Sequence, residues 1–442
     1  MRQLASLALL TTVLVACGDS AGPADEEHEW IEPSWPELRS DEAHDEDPLL
    51  DADEELAFAR DHRLLALDLY HQTRQASSWS GKNLMLSPYS LRSALAMVYG
   101  GSVGLAHTQI RDVMHFSLEG ERQHVAFNWL DDQLRARAQP QIMTNGEVTD
   151  EVIVAPVNAA WVEGSIADDI AQPFIDQLAV HYDAGLYLAD FNNQLETERA
   201  RINQWVEART RGLIPDLLPD LPPVTTMVMV NALHLKAPWA EAFDRKQTRS
   251  GSFTRLDGST VNVDLMSSGT GLSVGYAEDI DYLALALPLR GAELEVVIVM
   301  PLGDFASFED ALDEPRLAEI LAGLEGSFWA VQMPRVSVAS TFALKPELEE
   351  LGMIEPFDPQ EPVEPFADIG PVGKLWEVHH QVNVALDEGG VEAAAATAAV
   401  FEEEGGAEFE QVVIDRPFFL MIRDRPSDTL LFFGRVLDPN VG

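Results

Sequence analysis

Three places in this sequence carry residue types that chemistry uses. Gly100-Gly101-Ser102-Val103-Gly104 fits G-x-S-x-G, the turn that exposes a nucleophilic serine between a strand and a helix. Ahead of it, however, Ser87 is a cap residue and Pro88 sits at the first helical position, so a helix leads into the turn and the hydrolase context fails. His379-His380 invites a metal reading, but adjacent residues on a strand point to opposite faces and cannot chelate together. The stretch from Trp376 to Leu386 reads as a strand, which gives one of these histidines a buried, hydrogen-bonded place. The third is residues 388–406, EGGVEAAAATAAVFEEEGG. Alanine is the best helix former, so a short exposed helix is one reading. The tract has no amphipathic face, though, and glycine pairs bound it between strand-like segments. Small side chains are also what a segment needs to slide between existing strands. No phosphate loop, dinucleotide fingerprint or zinc signature is present.

Composition narrows the functions further. Of 442 residues, 29 are Lys or Arg and 74 are Asp or Glu, a formal charge of −45. Such a surface repels phosphate backbones, which argues against nucleic-acid binding, and it does not adsorb to anionic lipid. The single cysteine excludes an intramolecular disulfide framework and a cysteine-based zinc finger. No cofactor or metal is expected.

That cysteine closes the apolar run of residues 1–17, MRQLASLALLTTVLVAC, which is too short to span a bilayer and has signal-peptide length. Leu14-Val15-Ala16-Cys17-Gly18 resembles the lipobox of bacterial lipoproteins, with Cys17 as the acylated residue; an ordinary secretory signal is the alternative. The chain is therefore expected to be exported and lipid-anchored to the cell envelope, or extracellular. Gly18, where an inner-membrane retention aspartate often stands, points to the outer membrane. From residue 18 to 58 the chain has sixteen acidic residues and one basic residue, Arg39, with four prolines. This composition predicts an extended, disordered spacer.

Residues 59–442 read as one domain. Helical spacing fits Phe58 to Leu69, the stretch after Ser87-Pro88, and Arg199 to Arg211. Strand-like runs cover 152–162, 225–235, 328–338, 412–422 and 429–436, and a hairpin joins Tyr282–Leu289 to Leu294–Met300. Helices early and strands later, without regular alternation, predict an α+β fold.

Five ordered blocks then give a family resemblance. Asn83-Leu-Met-Leu-Ser87-Pro88-Tyr-Ser90, Ile202-Asn203-Gln-Trp205-Val206 with Thr210-Arg-Gly212-Leu-Ile214, and Val230-Asn231-Ala232 through Trp239 are three of them. Asp415-Arg416-Pro417-Phe418-Phe419 and Phe433-Gly434-Arg435-Val436 complete the set. Over roughly residues 58–439 the sequence resembles the serpins. The resemblance implies a large, mostly antiparallel central sheet with further sheets, about eight to nine helices and an exposed reactive loop at about 388–410. It also implies a non-enzymatic activity: a target serine protease cleaves the loop and is held as a covalent acyl-enzyme while the loop inserts as a new strand. A monomer is expected.

The loop hinge would be Glu388, Gly389, Gly390, Val391, Glu392, Ala393, Ala394, Ala395, Ala396 and Thr397. With period two, Val391, Ala393, Ala395 and Thr397 share one face, small and uncharged, and no proline interrupts residues 388–406. The resemblance also places Trp239, Arg335 and Glu388 at the top of the sheet, where insertion begins. It places Ser87, Ser90, Asn231 and His380 at mid-sheet, where the strands part; satisfaction of buried polar groups explains the same residues. Counting seventeen residues from Glu388 puts the cut at Glu404-Gly405, with Phe401-Glu402 and Glu403-Glu404 as rivals; counting back from Pro417 gives Gly406. A Glu-preferring protease, or a chymotrypsin- or subtilisin-like one at Phe401, matches these residues. A non-inhibitory serpin acting as a cell-surface binding module is the alternative.

Overall fold

The computed structural model describes residues 32–138, 152–360, 363–392 and 410–441. Among them are nine α-helices, one 3-10 helix and two large sheets, an α+β architecture. The central sheet has seven strands in the order Glu37–Leu38, Leu186–Ala189, Ile153–Glu163, Met227–Pro238, Gly390–Val391, His379–Asp387 and Val336–Ala343. Only the contact between Ile153–Glu163 and Leu186–Ala189 is parallel. The second sheet has nine strands and includes the expected hairpin, Tyr282–Pro288 against Leu294–Pro301.

Behind the central sheet runs the helix Pro88–Tyr99. Ser87 caps it by accepting from the Ser90 amide, and Pro88 supplies a pre-set φ where no amide donor is needed. Nearly every residue of this helix is buried, so it forms the floor on which the sheet rests. On the other face, the helix Phe191–Arg209 covers the sheet through Ile202, Trp205 and Val206, which pack with Trp161, Val228 and Val230. The central strands are thus buried on both faces.

Two expected strands are each broken in two. The run 328–338 divides into Glu325–Pro334, in the second sheet, and Val336–Ala343, in the central one. Pro334 lacks an amide donor and Arg335 turns the chain between sheets, its own amide bonded to the Asp264 carbonyl. Similarly, 412–422 divides into Gln411–Val413 and Phe418–Asp424 around Asp415-Arg416-Pro417.

The largest correction concerns the N-terminal segment. Residues 32–58, read from composition as part of a disordered spacer, are folded against the domain. The first long helix starts at Ala52 behind a reciprocal cap, in which Asp51 accepts from the Glu54 amide and Glu54 accepts from the Asp51 amide. Before it, Glu37–Leu38 adds an edge strand against Leu186–Tyr187. Trp35 is only 9% exposed. Its indole donates to Glu198 at 2.6 Å, meets Trp161 edge-on at 5.4 Å and lies 4.5 Å from the Arg201 guanidinium carbon. Farther along, the Asp45 amide bonds to the Val180 carbonyl, and Asn128 bonds to the Asp45 carbonyl. One buried tryptophan with a partnered N–H offsets the charge of a segment whose average hydropathy predicts disorder. Removing that ring, Trp35→Ala, forfeits about 3 kcal/mol of local stability. Hydrogen exchange at the Asp45 amide and at the Leu188 amide, which bonds to the Pro36 carbonyl at 2.8 Å, is then expected to accelerate on the order of 100-fold, and unchanged protection contradicts this packing account.

Candidate functional site

The site begins where the polypeptide after the strand His379–Asp387 turns back on itself. Gly390 and Val391 sit between two strands, Gly390 opposite Asp387 and Pro238, Val391 opposite Leu386 and Ala237. Below this level the described residues of Met227–Pro238 and His379–Asp387 share no direct ladder, so the two-residue segment joins them. Gly390 is required at its position. Its φ is +141°, and a Cβ there stands 2.3 Å from the Ala237 carbonyl oxygen and 2.6 Å from the Pro238 Cα, both backbone atoms. Val391 is buried in the main core, and the Glu392 amide continues the pairing to the Ala385 carbonyl. Burial pushes the Glu392 carboxyl up to about 8, against the pull of Lys236.

Three residues singled out in the sequence meet at the top of this slot. Glu388, with its side chain 2% exposed, accepts from Arg335 at 2.8 Å and 3.2 Å. Burial pushes the Glu388 carboxyl up, but hydrogen bonds from Arg335 and Thr248 outweigh it and hold the group below the usual carboxylate range. Trp239 donates its indole N–H to the Asp387 carbonyl at 2.8 Å and its amide to the Gly389 carbonyl at 2.9 Å. Thr248 and Asp264, which bonds Arg335 at 3.1 Å, complete this knot; both come from distant loops or strands and carried no signal in the sequence.

At mid-sheet, Ser87, Ser90 and His380 also converge. The Ser87 amide donates to Nε2 of His380 at 3.0 Å, and the two serine hydroxyls lie 3.0 Å apart. Ser340, missed in the sequence, accepts from the neighbouring Met85 amide. Asn231 stands opposite Asn158 in the ladder, and its side chain is outside the described residues. His379 shares the strand but not the cluster.

Burial pulls the His380 imidazole down to about 4 from the usual 6.5. The folded protein therefore holds it neutral, as an acceptor, while the unfolded chain takes up a proton near its ordinary value. Between these two values the unfolded state binds more protons, so this stabilisation is full above about pH 6.5 and disappears as pH falls toward 4. The difference is about 3 kcal/mol. His380→Gln keeps an acceptor without the titration, and its stability–pH curve is expected to be flatter than the parent's by that amount. Parallel curves in that window rule the assignment out.

Comparison with known proteins decides what these features belong to. The family pattern described as "Serpin (serine protease inhibitor)" matches residues 61–439. The chain belongs to the serpin family. Leukocyte elastase inhibitor A of Rattus norvegicus is 30% identical over 391 residues, covering 85% of this chain and 98% of that protein. An uncharacterized serpin-like protein of Thermococcus kodakarensis is 29% identical, covering 85% and 84%. Among solved structures, thyroxine-binding globulin in complex with thyroxine superposes with a TM-score of 0.72 at 25% identity, over 86% of this chain and 99% of that one.

Within this serpin, the other candidates of the sequence fall as follows. Cys17 and hinge residues Ala393, Ala394, Ala395, Ala396 and Thr397 lie outside the described residues, as do Phe401, Glu403, Glu404 and Gly405. Ser102 follows a helix, as expected, and its hydroxyl donates to the Tyr99 carbonyl at 2.6 Å. His107, which the sequence reading did not consider, comes within 3.1 Å of that oxygen through Nδ1. With the hydroxyl proton already given to a carbonyl, the imidazole is not its acceptor, and the pair lacks the activation that a nucleophilic serine needs. Among the described residues no group of three or more ligating side chains is placed to hold a metal ion, and no helix is long and apolar enough to cross a membrane.

Proposed function

We propose that this serpin is a suicide-substrate inhibitor of serine-type endopeptidases, with cleavage at Glu404-Gly405. The observation that carries the reading is the seat of Gly390–Val391 between Pro238 and Asp387, the first two rungs of a strand that is followed by a proline-free run of small residues. The protease serine oxygen bonds to the Glu404 carbonyl carbon, the amide to Gly405 breaks, and the Gly405 nitrogen leaves as an amine carrying the proton. The acyl-enzyme then travels with the loop as it adds to the sheet. About ten further residues in the ladder contribute on the order of 10 kcal/mol, at roughly 1 kcal/mol net per backbone hydrogen bond, comparable to the whole stability of a domain.

No Arg or Lys stands between Asp387 and Asp415, so trypsin-like enzymes find no preferred residue. A Glu-preferring protease fits Glu404, and a chymotrypsin- or subtilisin-like one fits a cut at Phe401. Acylation at Cys17 would hold the monomeric inhibitor on the cell envelope, on the outer membrane by the residue that follows the cysteine. The likeness to thyroxine-binding globulin favours a second reading, a serpin that binds without trapping. Residues 19–442 mixed with Glu-specific, chymotrypsin-like and subtilisin-like proteases, denatured and run in SDS, separate the two. A band of summed mass with lost protease activity supports the inhibitor; clean cleavage by a still-active protease supports the binding module.

A further inference from the structure

The buried helix Pro88–Tyr99 ends beside a pocket of about 460 Å³. The helices Glu121–Arg137 and Gln172–Tyr182 start next to it and supply most of its walls. Two ring pairs line it. His107 stacks on Tyr99 with centroids 4.2 Å apart, and His124 on His181 with centroids 5.9 Å apart. The charged side chains of the lining are Glu121 and Asp176, both carboxylates, and no described Lys or Arg joins them. Among the described residues these imidazoles are not placed to share a metal ion.

Burial pulls the His124 imidazole down to about 3 and holds His181 below the usual histidine range, so both rings are neutral at pH 7. Nε2 of His181 faces the Glu121 carboxylate at 3.5 Å, and a carboxylate only accepts, so Nε2 carries the proton. Nδ1 is then a bare acceptor. It is buried without a partner among the described residues, on a side chain that is only 5% exposed. What the pocket lacks is a positively charged donor. Ring faces, carboxylates and an unmet acceptor are the surroundings that hold an ammonium group. An anion finds no counterpart there. Two helices begin beside the pocket, but Glu121 occupies the positive end of one and Pro173 withholds an amide from the other.

We infer that this pocket binds a small primary amine in its ammonium form. The ammonium group donates to the carboxylates of Glu121 and Asp176 and to the imidazole acceptor of His181, with the Tyr99–His107 pair as a wall. The volume is that of about fifteen waters, ample for a short aliphatic amine. Asp176 is already oriented, since it accepts from Ser40 and, at 2.7 Å, from Gln172. Ser40 belongs to the N-terminal segment that folds against the domain. Val180, whose carbonyl holds the Asp45 amide, also lines the pocket. Occupancy is thereby tied to the seating of residues 40–45.

The test is calorimetric titration of purified residues 19–442 with n-butylammonium chloride at fixed ionic strength. Saturable one-to-one binding is expected, and its absence overturns the proposal outright. Glu121→Gln, at a side chain 79% exposed and so without consequence for folding, is expected to weaken binding about tenfold, the loss of one charge-assisted hydrogen bond. Glu119→Gln removes the same charge outside the lining and is expected to change nothing. Equal losses in the two variants reveal a diffuse attraction to an acidic surface and overturn the site. Tetramethylammonium chloride binding as tightly also overturns it, because that ion has no N–H to give. Inorganic phosphate binding in place of the amine overturns the assigned charge. Saturating butylammonium is further expected to slow hydrogen exchange at the Asp45 amide by about threefold, and unchanged exchange overturns the tie to the N-terminal segment.

Discussion

Ala395→Arg is expected to abolish covalent trapping while leaving cleavage intact, so that the protein becomes an ordinary substrate. Position 395, carried in register from Val391 opposite Ala237, meets Leu233, a residue of the main core. A side chain entering there faces the buried helix, not solvent. Burying an unpaired guanidinium in such a place costs several kcal/mol, enough to slow insertion by orders of magnitude. The proposed acyl bond, by contrast, is at Glu404, nine residues away in sequence, where the substitution changes nothing the protease would contact. Trapping is a race between insertion and hydrolysis of the acyl-enzyme, and the substitution slows only insertion. The measurement is the number of inhibitor molecules consumed per protease molecule silenced, expected to rise from near one to more than about ten. A ratio that stays near one shows that this position does not enter the sheet.

Gly390→Ala is expected to act earlier, on the uncleaved protein. All three atoms that its Cβ meets, the Ala237 carbonyl oxygen at 2.3 Å, the Pro238 Cα at 2.6 Å and the Trp239 nitrogen at 2.8 Å, are backbone and have no rotamer to change. The φ of +141° adds its own strain for any residue with a Cβ. Together these cost about 2–4 kcal/mol, more than the two-residue pairing returns, so the hinge leaves the slot. The bonds from the Trp239 amide to the Gly389 carbonyl and from the Glu392 amide to the Ala385 carbonyl go with it. The expected result is a lower unfolding midpoint together with a higher inhibitor-to-protease ratio, because insertion must now start without its first rungs. Unchanged values of both would show that the seat of Gly390 does not matter to either state.

Both predictions depend on local patterns that sequence alone displays. The proline-free alanine tract, the glycine pairs around it and the cap at Ser87-Pro88 are short-range features, decided by what neighbouring residues allow. So were the failed context of Ser102 and the opposed faces of His379 and His380. The α+β class and most strands were legible for the same reason, since a period of two or 3.6 residues reflects a face that must be buried. The breaks at Pro334 and Pro417 were within reach of the same reasoning, because a proline inside a run demotes it.

What the sequence by itself determined, then, is the α+β class, three of the helices, most of the strands, the family blocks and a hinge whose residues are small enough to enter a sheet. Tertiary structure alone decided the rest. Thr248 and Asp264 join Glu388 and Arg335 across more than fifty residues of chain. The acidic segment 32–50 is folded because Glu198 and Arg201, far along the chain, provide partners for one tryptophan. The pocket beside Glu121 exists because three helices leave the space between them unfilled. Composition averages over neighbours in sequence, whereas burial depends on neighbours in space, and a single well-partnered ring or an unfilled volume changes the second without marking the first.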